Sequence, residues 1–325
     1  MIGCGGFASQ CHGPAQRKLR EQIPEVILAA CCDTDVKRAS AYGEAFGYAR
    51  PYPEISQMLS TEKPDAVIMA VPPPATCAAA TKVLELGIPL LLEKPPGMTR
   101  AELGSLISAA RKGGASAQVA FNRRYMPVLR EARQILESAF APDSVGRIDY
   151  EMVRFDRWDP DFSTTAVHAL DAALFLARSP FRSAEVRFQP QVMGQLETAN
   201  ILVHAVCACG TRVLVNIQPV AGTNAESVRI RAVGQSLSAW IPVSPTSQGD
   251  GSVEHWRSDA LISSFSDREA GKVDRMGVLG ETGAFLEAVL NGGPFSPQLE
   301  DCQQQVALME AIRMRRDGQV DFAMP

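Results

Sequence analysis

The sequence predicts an α/β protein with a doubly wound parallel sheet, followed by an α+β domain with a large, mostly antiparallel open sheet. Its 325 residues are about twice the usual single-domain length. The first 121 residues alternate short apolar runs with helical patterns, which is typical of βαβ units. Later strand-like runs follow one another with few helices between them. We therefore assign residues 1–121 and 122–325 to two domains, with the terminal helix able to pack back on the first.

The apolar runs of the first domain predict parallel strands that are buried on both faces. These runs cover residues 26–32, 66–71, 89–92 and 117–121. Helical patterns lie near residues 8–22, 35–46, 75–86 and 99–112. Only Met1 and Ile2 precede Gly3, so the first strand is short here or upstream residues are missing from the numbered chain.

The second domain is predicted to begin with a helix at 124–138, a strand at 147–155 and a helix at 163–177. Further strands are expected at 185–188, 200–207, 212–217, 227–232 and 236–241. Residues 243–275 are rich in Ser, Gly and Asp, which predicts an irregular loop region. Two helices, near 278–291 and 299–316, close the chain.

Composition narrows the class of protein. The net charge of −4 argues against a general nucleic-acid binder, which needs a basic surface. No run of 18 apolar residues is present, and the N-terminus lacks a secretion-signal pattern. The eight cysteines include no C-x-x-C pair, which predicts reduced structural thiols and no metal. We expect a soluble, cytoplasmic protein that binds a small molecule rather than nucleic acid or membrane.

A glycine-rich turn at residues 3–8 reads G-x-G-x-x-A. Glycines there allow a tight turn and a close approach to a pyrophosphate at the following helix N-terminus. Asp33 ends the next strand run, where a carboxylate can accept hydrogen bonds from the adenosine ribose and repel a 2′-phosphate. This favours NAD over NADP. The alternative for Asp33 is a helix N-cap.

Glu93, Lys94 and Pro95 directly follow a predicted strand, so they are expected at the carboxyl edge of the sheet, where ligands bind. A lysine there can hydrogen-bond a substrate hydroxyl and stabilise a developing alkoxide. The alternative is a surface lysine that ends the strand. The residues assigned to the cofactor site are Gly3, Gly5, Gly6, Phe7, Ala8, Asp33, Val71, Pro72, Glu93 and Lys94.

These motifs together resemble the Gfo/Idh/MocA family of nicotinamide-dependent oxidoreductases. The resemblance also includes His12, residues 122–127 and 144–148, and the closing segment 285–319. It implies a Rossmann domain and a second domain whose open sheet forms homodimer or homotetramer contacts. It further implies a cis Lys94–Pro95 bond.

His168 is the candidate acid/base. On a helix it shares a polar stripe with Thr164 and Asp171, beside an apolar stripe. Histidine titrates near neutrality and can take a hydroxyl proton, and the family resemblance implies this role. The alternative is a hydrogen-bonded packing histidine. Thr164 stands where many family members carry an aspartate that contacts the substrate, and Thr76 stands where they often carry a histidine.

A polar and aromatic cluster at residues 154–159 precedes that helix. Trp158 with its charged neighbours could bind a sugar, and the two arginines of the cluster could bind a carboxylate. The third interpretation is a solvated loop anchored by the tryptophan. Arg123 and Arg124 could contact the substrate or cofactor, or they could pack between the two domains. The residues assigned to the substrate site are Lys94, Arg123, Arg157, Trp158, Thr164, Thr165 and His168.

The sequence thus predicts an NAD-dependent oxidoreductase that transfers a hydride between nicotinamide and a sugar, polyol or related cyclic hydroxy compound. An NAD-dependent glycoside hydrolase and a non-catalytic sugar or dinucleotide sensor of the same fold are the alternatives. Retention of both Lys94 and His168 favours an enzyme.

Overall fold

The computed structural model describes residues 1–141, 143–243 and 249–322. The chain divides into two compact units. Unit 1 contains Met1–Asn122 and Val278–Val306, and unit 2 contains Arg123–Gly277 and residues 307–322. Residues 278–306, which the sequence analysis assigned to the second domain, therefore group with the first.

Ten α-helices are formed by the described residues: α1 (Gly13–Gln22), α2 (Val36–Phe46), α3 (Ile55–Glu62), α4 (Pro73–Leu84), α5 (Arg100–Gly113), α6 (Pro127–Ala139), α7 (Ser163–Ala177), α8 (Lys272–Arg275), α9 (Val278–Asn291) and α10 (Gln303–Arg313). The strands of unit 1 are β1 (Ala30–Cys32), β2 (Arg50–Tyr52), β3 (Val67–Met69), β4 (Leu90–Glu93) and β5 (Ala117–Ala120). The strands of unit 2 are β6 (Val145–Val153), β7 (Phe181–Met193), β8 (Leu196–Cys207), β9 (Arg212–Gln218), β10 (Ala225–Ala232), β11 (Gln235–Ile241), β12 (Ser252–Arg257), β13 (Ala260–Ser266) and β14 (Gly318–Gln319).

The sheet of unit 1 is parallel and doubly wound, as predicted. β1 pairs with β2, and β3, β4 and β5 pair in that order. Ile2 bridges Cys32 of β1 and Met69 of β3, both in parallel, and so joins the two groups. The resulting order, β2-β1-Ile2-β3-β4-β5, reverses between Ile2 and β3, which is the arrangement of a dinucleotide-binding sheet.

Three local features of unit 1 differ from the sequence prediction. β1 begins only at Ala30, although the apolar run starts at residue 26. β2 and α3 were not predicted, because Arg50 and Pro51 are exposed and leave no apolar run. Residues Ala8–His12 form a π-helical turn before α1 instead of one continuous α-helix.

Unit 2 is built on a nine-stranded sheet in the order β13-β12-β11-β10-β6-β9-β8-β7-β14. Its neighbours pair antiparallel except β6 and β9, which are parallel. Helices α6 and α7 pack on the sheet, and their apolar side chains form one core with the buried residues of the strands. The predicted large, mostly antiparallel sheet is therefore confirmed.

The prediction of an irregular region at 243–275 is wrong for residues 252–266, where β12 and β13 lie. β13 is exposed along almost all of its length, so its side chains do not alternate between buried and exposed positions. β12 does alternate, with Val253 and His255 buried, but the surrounding Ser and Gly residues hide that alternation. Residues 244–248 lie outside the described residues.

No helix within the described ranges is long and apolar enough to cross a membrane. In the same ranges, no group of three His, Cys, Asp or Glu side chains is arranged to hold a metal ion.

Candidate functional site

The glycine-rich turn has one position that only glycine fits. Gly3 has φ +84°, and a Cβ there would lie 2.2 Å from the carbonyl oxygen of Ala70. A Cβ at Gly5 or Gly6 would meet no atom within 4 Å, so the space beside these residues is open. The turn therefore brings bare backbone to a helix N-terminus, where N–H groups without intrahelical acceptors can bind a phosphate.

Asp33 is buried and ties the end of β1 to this turn. Its Oδ2 accepts the backbone N–H of Cys4 at 2.9 Å, and its Oδ1 accepts the N–H of Asp35 at 2.9 Å. The N-cap of α2 is Asp35, which accepts the N–H groups of Lys37 and Arg38. The N-cap alternative for Asp33 therefore belongs to Asp35. Oδ1 also accepts from Nη1 of Arg38 at 3.5 Å, whereas Oδ2 keeps acceptor capacity for a ribose hydroxyl.

The Glu93–Lys94–Pro95 turn lies at the carboxyl end of β4, and its Lys94–Pro95 bond is cis as predicted. Glu93 accepts hydrogen bonds through both oxygens. Oε1 lies 2.8 Å from Nε2 of the buried His12, and Oε2 accepts the backbone N–H of Lys94 at 3.1 Å. The carboxylate is therefore held in one orientation beside the lysine.

The cofactor residues predicted from the sequence all follow strands that run in the same direction. The glycine turn follows Ile2, Asp33 follows β1, Val71 and Pro72 follow β3, and Lys94 follows β4. Because the strands are parallel, all of these residues lie at one edge of the sheet. The structure thus brings the predicted cofactor set together within unit 1.

Two thiols border the glycine turn. A hydrogen bond with Cys31 and burial raise the pKa of the Cys4 thiol, and burial raises the pKa of Cys32 to about 11. Both groups are thiols rather than thiolates at neutral pH, which suits packing residues rather than nucleophiles.

A second group of predicted residues gathers at the N-terminal end of α7. Thr164, Thr165 and His168 lie there, each half-buried. Arg157 donates through Nη2 to Oγ1 of Thr165 at 3.4 Å, and its guanidinium group lies 5.4 Å from the ring centroid of Phe162. The helix residues and the preceding loop therefore form one polar surface of unit 2.

Trp158 and Arg157 are both held by acidic neighbours in that loop. Trp158 donates through Nε1 to Asp156 at 2.9 Å, and Arg157 donates through Nε to Asp159 at 2.7 Å. Both side chains are half-buried, so an indole face and a guanidinium group stand beside the polar end of α7.

Arg123 is committed to a buried carboxylate that the sequence analysis missed. It donates to Glu226 through Nε at 2.9 Å and Nη2 at 2.6 Å, and Arg154 and Tyr150 donate to the same carboxylate. Burial raises the pKa of Glu226, but the charges of Arg123 and Arg154 outweigh it and set that pKa at about 2. This geometry favours packing within unit 2 over substrate contact for Arg123. Arg154 is bound to the same buried carboxylate, so it is not an exposed member of the polar and aromatic cluster at residues 154–159.

Asp171 is likewise used inside unit 2. Arg124 donates to it through Nε at 2.9 Å and Nη2 at 2.6 Å, and the Asp171 side chain is almost fully buried. Helical spacing predicts that Asp171 shares a polar stripe with His168. In the structure, the Asp171 carboxylate is buried and binds Arg124, so it is not an exposed acidic group beside His168.

Comparison with known proteins finds a family match for the first part of the chain. The model of the oxidoreductase family with an NAD-binding Rossmann fold, Gfo/Idh/MocA, matches residues 1–121. This match lies within unit 1. Unit 1 is therefore an NAD-binding Rossmann fold, which agrees with the open space at the glycine turn and with the acceptor capacity of Asp33.

The individual relatives of this chain are distant in sequence. The chain is similar to D-apiose dehydrogenase of Paraburkholderia graminis, with 27% identity over 63% of this chain and 56% of that enzyme. It thus matches little more than half the length of this curated relative. Among solved structures, an Agrobacterium radiobacter oxidoreductase with NAD+, L-tartaric acid and magnesium has a TM-score of 0.79, with 19% identity, over 99% of this chain and 97% of that one. A levoglucosan dehydrogenase with NADH has a TM-score of 0.81, with 16% identity, over 100% and 98%. These two similarities concern the fold.

Proposed function

We propose that this protein is an NAD-dependent dehydrogenase or reductase that acts on a CH–OH group of a sugar, polyol or related cyclic hydroxy compound. The observation that carries the proposal is the position of Lys94 at the same sheet edge as Asp33 and the glycine turn. A cation there can stabilise negative charge on an oxygen of a substrate bound next to the cofactor. The relative named D-apiose dehydrogenase supports a sugar as the substrate.

The residues of unit 1 that would hold the cofactor have distinct tasks. The backbone of the glycine turn binds the pyrophosphate, and Asp33 accepts hydrogen bonds from the adenosine ribose. A negative charge at Asp33 opposes a 2′-phosphate, so NAD is preferred to NADP. When bound, NAD supplies the acceptor or donor of the hydride.

Lys94 and His168 would carry out the proton and charge chemistry. The Lys94 ammonium group holds the reacting oxygen and stabilises negative charge that develops on it. His168 takes the hydroxyl proton during oxidation and returns it during reduction. Arg157, Trp158, Thr164 and Thr165 orient the substrate from the polar surface of α7. Thr164 offers a neutral hydroxyl group rather than a carboxylate. It would therefore bind a substrate hydroxyl group through an uncharged hydrogen bond.

The experiment that tests the proposal is NADH absorbance with NAD and pooled aldoses, polyols and sugar acids. The wild-type protein is compared with His168→Ala and with Gln134→Ala, in which an exposed polar side chain of α6 is removed as the control. We expect NADH formation by the wild type and by Gln134→Ala but not by His168→Ala. Dividing the active pool then identifies the substrate class.

Other outcomes favour the two alternative functions. NADH binding without NADH formation, together with cleavage of a chromogenic glycoside, would support the hydrolase. NADH binding with neither reaction would support the sensor. No binding of NADH at all would contradict every function that rests on the cofactor.

We further propose that the protein acts in the cytoplasm as a homodimer or homotetramer through the open face of the nine-stranded sheet. That face carries a groove of about 490 Å³, lined in part by Arg147, Glu185, His204 and Arg212. Its mixture of opposite charges suits contact with a second copy. Sedimentation of the wild type and of an Arg212→Glu variant tests the assembly, since the variant is expected to sediment as a smaller species.

A further inference from the structure

His12 and Glu93 come from opposite halves of the unit 1 sheet. His12 ends the π-helical turn that follows Ile2, and Glu93 ends β4. The strand order reverses between Ile2 and β3, so Ile2, β1 and β2 form one half and β3, β4 and β5 the other. In a doubly wound sheet, each half binds one mononucleotide of the dinucleotide. A bond between these side chains therefore crosses the boundary between the two nucleotide sites.

The bond is short and shielded from water. Nε2 of His12 lies 2.8 Å from Oε1 of Glu93, with the His12 side chain 0% and the Glu93 side chain 13% exposed. The ring of Phe7, from the glycine turn, meets the imidazole edge-on with centroids 5.4 Å apart. The other oxygen of Glu93 accepts the Lys94 N–H. Movement of the imidazole would therefore disturb the backbone that carries Lys94.

The surroundings of the His12–Glu93 pair indicate which side chain donates the hydrogen bond and which accepts it. Among the described residues, Nδ1 of His12 has no hydrogen-bond partner. A proton on Nε2 satisfies the carboxylate and leaves Nδ1 as a bare acceptor, whereas a proton on Nδ1 would be a buried donor without an acceptor. The geometry thus fits donation from Nε2–H to an ionised carboxylate, which is a strong class of hydrogen bond.

We infer that His12 is a positioning residue for the dinucleotide. It holds Glu93, and through Glu93 the Lys94 backbone, in register with the phosphate-binding turn. It therefore supports binding of the nicotinamide half of the cofactor and not of the adenosine and phosphate half. This inference rests on dinucleotide binding by unit 1 and does not need the proposed reaction.

Binding of two probes to the full-length protein tests the inference. NADH occupies both halves of the site, whereas ADP occupies the adenosine and phosphate half. Dissociation constants for both are measured by calorimetry in wild type, His12→Gln and His12→Asn. The amide nitrogen of Gln reaches the position of Nε2, whereas that of Asn reaches only the position of Nδ1, so the two variants are matched in polarity.

We expect His12→Asn to weaken NADH binding about tenfold while ADP binding changes less than about twofold, with His12→Gln close to wild type. Equal weakening of both probes, unchanged NADH binding in His12→Asn, or no rescue by Gln would overturn the inference. Should His12→Asn fail to fold, Glu93→Gln tests the same bond. Its amide oxygen can replace only one of the two carboxylate oxygens, so an NH₂ donor faces either Nε2–H of His12 or the Lys94 N–H, and the variant must show the same NADH-selective loss. Equal losses for both probes in that variant would also overturn the inference.

Discussion

The carboxylate of Asp33 accepts the backbone N–H of Cys4 at 2.9 Å, which fixes the end of β1 against the glycine turn. In the proposed site, one charged group would therefore bind the ribose and also support the phosphate-binding turn. Arg38 approaches the same carboxylate at 3.5 Å, with about half of its own side chain exposed. We therefore propose that the carboxylate of Asp33, rather than the exposed Arg38, determines the choice of cofactor.

Asp33→Ala is expected to lower the preference for NADH over NADPH. Loss of hydrogen bonds to a charged group should weaken NADH binding roughly ten- to a hundredfold, with a smaller effect on NADPH. Fluorescence titration with both cofactors measures this. Asp35→Ala is the control, because it removes the α2 N-cap, about 1 kcal/mol of stability, and leaves the preference unchanged. A wild type that prefers NADPH would show that the ribose assignment is wrong.

Gly3→Ala and Gly5→Ala should separate folding from cofactor binding. A methyl group at Gly3 collides with the Ala70 carbonyl, and alanine disfavours the positive φ that the turn requires, so we expect a loss of about 2 kcal/mol or more in the free energy of unfolding. A methyl group at Gly5 enters open space, so stability stays near wild type while NADH binding weakens. Urea denaturation and NADH titration of both variants provide the two readouts. Normal NADH binding by Gly5→Ala would place the phosphate elsewhere.

Lys94→Ala is expected to lower kcat at least about a hundredfold, as removal of a catalytic electrostatic contact does. Binding of NADH should change far less than kcat. Lys112→Ala is the control, because Lys112 is an exposed lysine of α5 that pairs with Glu85 at 2.8 Å. Steady-state rates with the substrate identified from the pools measure the effect. A Lys94→Ala enzyme of near-normal rate is incompatible with the proposed role.

Because of Glu226, the free energy of unfolding of unit 2 is expected to fall at acid pH. Its pKa is about 2 in the folded protein, below the ordinary 4.5 of a glutamate, because burial raises it less than the charges of Arg123 and Arg154 lower it. A depressed pKa stabilises the fold above pH 4.5, and the contribution of about 3 kcal/mol is lost as the pH falls toward 2.

Glu226→Gln tests this through urea denaturation at several pH values. The variant is expected to be less stable than wild type at pH 7, with the difference shrinking below pH 4.5. Glu151→Gln, at an exposed carboxylate on the adjacent strand β6, should show no such convergence. A constant difference between wild type and Glu226→Gln across this pH range would contradict the assigned ionisation.

Patterns that depend on near neighbours were predictable from the sequence. The bounds of α7 and α9 agree with the predicted 163–177 and 278–291, because helical periodicity repeats within a single segment. The carboxyl-edge position of Lys94 followed from the strand that precedes it. In each case the information lies within about fifteen residues of the chain.

Pairings between distant residues were not predictable. Arg123 and Arg124 form one tandem in the sequence, yet their carboxylate partners are Glu226 and Asp171, which lie 103 and 47 residues away. Nothing local distinguishes a guanidinium group that binds a buried carboxylate from one that faces a ligand. The signal that could have found Glu226 is an acidic residue adjoining the strand pattern at 227–232, since such a charge needs a partner when buried.

The most direct test of the proposed reaction is the mass of the NADH formed from a substrate that carries deuterium on the carbon to be oxidised. The reaction is run in ordinary water with the compound identified from the pools. Direct transfer predicts NADH that retains the deuterium, and it predicts that His168→Ala abolishes the product while Gln134→Ala does not. Unlabelled NADH, or turnover of the compound without NADH, would contradict hydride transfer between this substrate and the nicotinamide.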